Sequence, residues 1–257
     1  MGIYWRNKKI ISILVVIPTY NEVENIVRII PSMREVLIKN NISYQILVVD
    51  DNSPDGTAEE VENMKKEDDQ IYLLKRPRKL GLGSAYIDGF TWALSNLSFD
   101  IIVQMDADFS HQPTDIVKLV DAIQKNVDVA VASRYIESGR SNKWPWYRQL
   151  ISRVANFLSH IMLGINVKDI TSGFRSISRK AVQELLKYKI NSRGYSYQVE
   201  SLAIYQDIGL FIIEVPYVFE ARLSGKAKLS IWEIFRFAGF LVKLSLSGVN
   251  LKESNIK

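Results

Sequence analysis

Cysteine is absent from the 257-residue chain. That excludes disulfide staples and thiolate zinc sites, and it permits a reducing compartment. Histidine is scarce: His111 and His160 are the only two, too few for a multi-histidine metal site. No run of eighteen uninterrupted apolar residues occurs, so the chain is not expected to span a membrane. No Gly-Lys-Ser/Thr P-loop and no opening GxGxxG are present, which excludes those two phosphate cradles. The apolar stretch at 10–17 runs into Pro18 without a small-residue cleavage site. It reads as a first strand and not as a secretion signal. Arg6 stands where a myristoylation signal needs Ser or Thr.

Hydrophobic residues make up 47% and charged residues 24%, an ordinary globular mixture. The net charge of +5 alone says little about anionic partners. Apolar runs at 10–17, 44–49, 71–74, 101–105 and 127–132 read as strands. Helical spacing fills 23–38, 57–65, 84–94 and 115–125. This alternation predicts an α/β fold with a mostly parallel central sheet flanked by helices. Pro31 is expected to kink or divide the first helix. Thr57 with Glu60 predicts a capping box, and Ser84 a helix cap. After residue 133 the pattern changes to a basic, aromatic segment and helices at 151–162, 179–186 and 195–206, with 166–175 as a loop. Residues 211–219 read as a strand in which Pro216 marks an edge or bulge. The expected division is a domain over 1–228, with halves at about 10–133 and 134–228. An amphipathic, interfacial helix and tail follow at 229–257.

Asp106 and Asp108 follow the apolar run 101–105. In an open parallel sheet, ligands bind where strands end. Two carboxylates there suit a divalent cation, Mg²⁺ or Mn²⁺, shared with a phosphorylated ligand; the plainer reading is a polar turn. Asp50 and Asp51 end another strand, where one can accept a nucleobase N–H or both can serve a capped turn. Pro18, Tyr20 and Glu22 fit a base-holding rim. Arg76, Arg78 and Lys79 precede Gly81 and Gly83, an arrangement that can meet a diphosphate or simply charge the surface. Arg134 and Arg175 are expected to converge on an acceptor phosphate through planar forks. Gln198 and Glu200 are expected to line a sugar pocket, although Glu200 can equally pair with Arg175. Trp144, Trp146 and Tyr147 with Arg140, Lys143 and Arg148 suit a lipid headgroup interface. A nucleic-acid-binding module would use the same residue types but leaves Asp50, Asp106 and Asp108 without a role.

The ordered set of motifs resembles the dolichyl-phosphate (polyprenyl-phosphate) mannosyltransferases, GT-A glycosyltransferases of family 2. The matching pieces are PTYNE at 18–22, DDNSPDGT at 50–57, RKLGLGSAY at 78–86 and MDADFSHQP at 105–113. SRY at 133–135, DITSGFR at 169–175, YSYQVE at 195–200 and SGKAK at 224–228 complete the set. The resemblance implies a GT-A nucleotide-diphospho-sugar transferase fold. It implies inverting transfer of mannose from GDP-mannose to a dolichyl or other polyprenyl monophosphate. By likeness, Pro18, Tyr20, Glu22 and Asp50 hold the nucleoside, and Asp106 and Asp108 hold the metal. Arg134, Arg175 and Lys226 meet phosphates. Some relatives carry a metal-holding glutamine where this chain has Ser110. The expected partners are the donor, the lipid phosphate, a membrane surface and a small membrane-anchoring subunit, with no nucleic acid. The expected place is the cytoplasmic face of a membrane, peripherally bound. UDP-glucose transfer to a polyprenyl phosphate is the alternative on the same scaffold.

Overall fold

The computed structural model describes residues 11–142, 145–190, 192, 194, 196–220 and 231–249, with the backbone alone for 231–235. Strand β1 (Ser12–Thr19) is apolar on both faces. It lies between β2 (Ser43–Asp50) and β4 (Ile101–Gln104), parallel to both, and β3 (Ile71–Lys75) extends the sheet beyond β2. The seven strands run in the order β3-β2-β1-β4-β7-β5-β8. Strand β7 (Arg175–Ser178) is antiparallel to β4 and to β5 (Val129–Ser133); β8 (Ile212–Pro216) closes the edge parallel to β5. The sheet is therefore mostly parallel. Pro216 ends its edge strand, where a missing N–H is tolerated.

Alternation along β1 feeds two cores. Ile13, Val15 and Ile17 join one cluster with α1 (Val23–Lys39), α2 (Thr57–Glu67) and α4 (Asp115–Ile123). Leu14 and Val16 join the other with α3 (Leu82–Asn96), α6 (Arg179–Leu185) and α7 (Ser196–Asp207). A strand covered on both faces must be apolar throughout, and β1 is. Helix α3 sits close to the sheet because Gly89 has no side chain: a Cβ there would lie 2.9 Å from Val49 Cγ2. A two-residue pair, β6 (Arg140–Ser141) with β9 (Val218–Phe219), lies outside the main sheet.

Several local expectations are corrected. Helix α1 runs unbroken through Pro31, which is exposed. The cost of Pro in a helix interior, about 3 kcal/mol, is offset by the buried row Ile26, Ile29, Ile30, Met33 and Leu37. The capping box does not form. Gly56, in the left-handed region at φ 91°, precedes α2, and Thr57 is its first residue. Gly81, not Ser84, precedes α3; Ser84 Oγ donates to Gly81 O at 2.9 Å. Residue 175 begins a strand, where the sequence pattern suggested the end of a loop.

The cap of both α1 and α2 is Asp55. It accepts from Val23 N at 3.1 Å, from Thr57 N at 3.1 Å and from Thr57 Oγ1 at 2.6 Å. Partial burial pushes its pKa up, but these hydrogen bonds outweigh that and hold it below the ordinary value. Asp55→Ala should cost about 1 kcal/mol at pH 7, as cap removals do. A carboxyl with a lowered folded-state pKa stabilises above its unfolded pKa and loses that effect as pH falls through the folded one. Urea unfolding of the two proteins should therefore differ at pH 7 and converge on acidification below about pH 4.

Candidate active site

The carboxyl ends of β1 to β4 face one edge of the sheet, and their loops bring the acidic residues together. Thr19, Asp50 and Ser53 form the floor. Asp50 is 0% exposed, and its Oδ1 accepts from Thr19 Oγ1 at 2.9 Å and Ser53 Oγ at 2.6 Å. Its Oδ2 accepts from Ser53 N at 2.8 Å. Asp50 thus joins the β1 and β2 loops from beneath. Pro18 is half-buried beside it, paired with Val49.

Asp51 is held as tightly. Its Oδ1 accepts from Arg76 Nη1, and its Oδ2 accepts from Leu80 N at 3.1 Å and Gly81 N at 3.0 Å. Arg76 also donates to Asp88 at 3.0 Å and to Ser84 Oγ at 2.7 Å. Arg76 is buried and committed to the β3–α3 loop, so the diphosphate contact expected of it is corrected. Arg78 and Lys79 are exposed, and Lys79 Nζ lies 3.8 Å from the centroid of the Tyr20 ring. Glu22, the residue before α1, is half-buried; its Oε2 accepts from Asn25 Nδ2 at 2.6 Å.

The loop after β4 carries Asp106 and Asp108. Asp106 is half-buried; Asp108 is buried, and its Oδ1 accepts from Ser110 N at 3.0 Å. Phe109 takes a left-handed φ of 60°, and its carbonyl accepts from Gln112 Nε2 at 2.7 Å. His111 holds the turn from inside. Its Nδ1 accepts from Asp106 N at 3.0 Å, and its ring stacks on Phe174 at 4.7 Å. Among the described residues no cluster of three or more His, Cys, Asp or Glu could hold a metal. Two carboxylates nonetheless suit a hard cation whose remaining ligands are phosphate and water. The donor chemistry of Asp106 and Asp108 therefore fits Mn²⁺ or Mg²⁺.

The two arginines do not converge on a cleft. Arg134, just past β5, is buried and grips Asp169. Its Nε donates to Oδ2 and its Nη2 to Oδ1, both at 2.7 Å, and its backbone N donates to Oδ2 at 2.9 Å. Despite burial, Asp169 raises the Arg134 pKa. Arg175 is 0% exposed inside the sheet; burial pushes its pKa down to about 10. It donates to Ser201 Oγ, Ile170 O and Gln198 O, each at 2.9 Å. In this structure each guanidinium braces the chain's own oxygens. Gln198 and Glu200 are buried on α7, and Glu200 Oε2 accepts from Ser192 N at 2.9 Å in place of the Arg175 pairing. Lys226, Lys143, Trp144 and Tyr195 lie outside the described residues.

Helix α5 (Trp146–Leu163) turns Ser152, Asn156 and Ser159 inward and leaves Trp146, Tyr147, Leu150, Val154, Phe157 and Ile161 exposed. Asn156 donates to Thr171 Oγ1 at 3.3 Å, and Arg134 Nη2 to Ser152 Oγ at 3.4 Å. The inward face of α5 thereby closes on the Arg134–Asp169 pair. His160 is structural, with Nδ1 2.7 Å from Ile165 O. No helix of the described residues is long and apolar enough to cross a membrane. Asp169→Asn should destabilise the protein by about 3–5 kcal/mol, because it weakens the pairing of a buried guanidinium. Replacing Arg134 and Asp169 together by Met and Leu should recover most of that loss in denaturant unfolding.

Two curated relatives are 37% identical over 218 residues. One is the polyprenol monophosphomannose synthase of Mycolicibacterium smegmatis, matched over 84% of this chain and 80% of its own. The other is the undecaprenyl-phosphate mannosyltransferase of Micrococcus luteus, matched over 85% and 87%. Among solved structures, glucosyl-3-phosphoglycerate synthase of Mycobacterium tuberculosis with Mn²⁺, UDP-glucose and phosphoglyceric acid superposes with a TM-score of 0.67 at 19% identity. That match covers 95% of this chain and 81% of the other. It establishes the α/β, GT-A type fold. It also corrects the narrower expectation of a dolichyl-phosphate mannosyltransferase with GDP-mannose, a lipid phosphate and a membrane surface as partners. The same framework holds UDP-glucose and a small phosphorylated acid in that synthase, and no described side chain here singles out mannose, guanine or a lipid. The glycosyl transferase family 2 profile matches residues 14–186, and the chain belongs to that family.

Proposed function

We propose that this glycosyltransferase moves a sugar from a nucleotide diphosphate sugar to a phosphorylated small-molecule acceptor, with UDP-glucose as donor. One observation carries the reading: Tyr20, Lys79, Asp106 and Asp108 emerge from the loops after β1, β3 and β4 at one edge of the sheet. An aromatic ring for a base, a cation for phosphate and two carboxylates for a metal are the parts such a donor needs. UDP-glucose and phosphoglyceric acid are what the superposed synthase holds. As part of the same proposal we place the chain in the cytoplasm, which its lack of cysteine permits.

Asp106 and Asp108 would hold the metal, Mn²⁺ or equally Mg²⁺. When bound, the cation neutralises charge on the departing diphosphate. His111 and Ser110 fix the loop that carries these carboxylates, so their geometry is set before the donor arrives. Tyr20 and Glu22 border the nucleoside, and Lys79 meets the diphosphate. Gln198 lines the sugar side: its Oε1 is buried without a protein partner, an acceptor suited to a sugar hydroxyl. In the reaction an acceptor oxygen bonds the anomeric carbon as the bond from that carbon to the diphosphate breaks; the diphosphate leaves with the electron pair, and the proton of an acceptor hydroxyl passes to the diphosphate or to water. Arg134 and Arg175 touch neither substrate in this scheme; they hold the loops that do.

The test is transfer by the purified full chain, with Mn²⁺, from UDP-glucose to phosphoglyceric acid, with GDP-mannose and a short polyprenyl phosphate as further arms. EDTA should abolish transfer and Mn²⁺ restore it. Asp108→Asn should lower kcat about 10²-fold or more. Transfer confined to GDP-mannose, or to the lipid phosphate, would overturn the donor or the acceptor part. Full activity of Asp108→Asn in EDTA would overturn the metal assignment.

A further inference from the structure

Lys79 and Tyr20 face each other from two loops whose backbones are pinned on both sides. Before Tyr20, Thr19 donates to Asp50 at 2.9 Å; after it, Asn21 N donates to Ser53 Oγ at 2.9 Å. Before Lys79, Arg76 is locked by Asp51, Asp88 and Ser84; after it, Leu80 N and Gly81 N donate to Asp51. Tyr20 is 36% exposed, yet one face of its ring carries the Lys79 ammonium at 3.8 Å. Among the described residues no carboxylate lies within ion-pair distance of Lys79. The ring is its neighbour in place of an acid, and such a contact is weak enough to exchange.

A nucleobase that stacks on Tyr20 needs the ring face, and the ammonium covers one. A neutral nucleoside that stacks on the covered face must displace the cation and offers it nothing in return. A nucleoside diphosphate brings the anion to which the freed ammonium can turn, a stronger partner than the ring. We propose that Lys79 is a specificity-determining residue, which disfavours unphosphorylated nucleosides by covering Tyr20 and favours nucleoside diphosphates by moving from ring to phosphate. This rests on the nucleotide-sugar reading above. It adds that one side chain acts with opposite sign on the two ligand classes.

The opposite signs make the test. Calorimetry on the full chain with Mn²⁺ would compare uridine with UDP, and guanosine with GDP, in wild type and Lys79→Ala. The variant should bind the nucleoside two- to fivefold more tightly. It should bind the matching diphosphate about tenfold more weakly, as loss of a charged hydrogen bond implies. In Tyr20→Ala, adding Lys79→Ala should leave nucleoside affinity unchanged, because the covered face is gone; Lys79→Arg should keep the wild-type preference. If Lys79→Ala weakens nucleoside and diphosphate alike, or leaves the nucleoside unaffected, the covering role is overturned while nucleotide binding stands. If folded wild type binds neither UDP nor GDP, the nucleotide-sugar reading fails and the inference with it.

Discussion

Carboxylates gathered at the end of a parallel sheet must find donors within the chain or face water. Burying a charge without a partner costs more than a fold of this size can spare. Asp50, Asp51 and Asp169 meet that demand with hydroxyls, backbone amides and two arginines. Each of these acids also ties loops distant in sequence. The edge is therefore rigid where it is anionic and enclosed. Asp106, half-buried at the end of β4, stands at its more open part.

The arginines show how charge serves position here. Arg134 holds Asp169 in two-pronged fashion and, through Ser152 and Thr171, reaches α5. Arg175 has carbonyls and a hydroxyl as its hydrogen-bond acceptors, and one of those carbonyls belongs to Gln198. A guanidinium that spends its donors on main-chain oxygens fixes backbone, and here it fixes α7 at Gln198. Positioning of the edge thus begins one layer below it.

The alternation of apolar runs and helical spacing made the sheet and most helices legible, because both patterns are local and repeat. Strand β7 was not legible. Its four residues, Arg175 to Ser178, alternate charge, serine and isoleucine, and their strand character comes from β4 and β5 on either side. Asp106 and Asp108 were readable from their place after a buried run. The partners of Arg134 and Asp51 were not, since a pair 35 or 25 residues apart leaves no periodic trace. The hold of Asp55 on two helices is no more legible, since it needs the approach of Val23 from 32 residues away. Pro31 does not divide α1, because the buried row Ile26, Ile29, Ile30, Met33 and Leu37 outweighs local propensity.

The antiparallel β7 has a consequence for how the molecule is made. Synthesis delivers β4 and then β5, but these two do not touch in the sheet; β7, appearing at residue 175, goes between them. A nascent chain that has reached residue 133 carries β5 with no neighbour to pair with. The tract from 129 onward must wait, tethered and unpaired, until the ribosome has added more than forty further residues. A middle plank of this floor is laid after the one that lies beyond it.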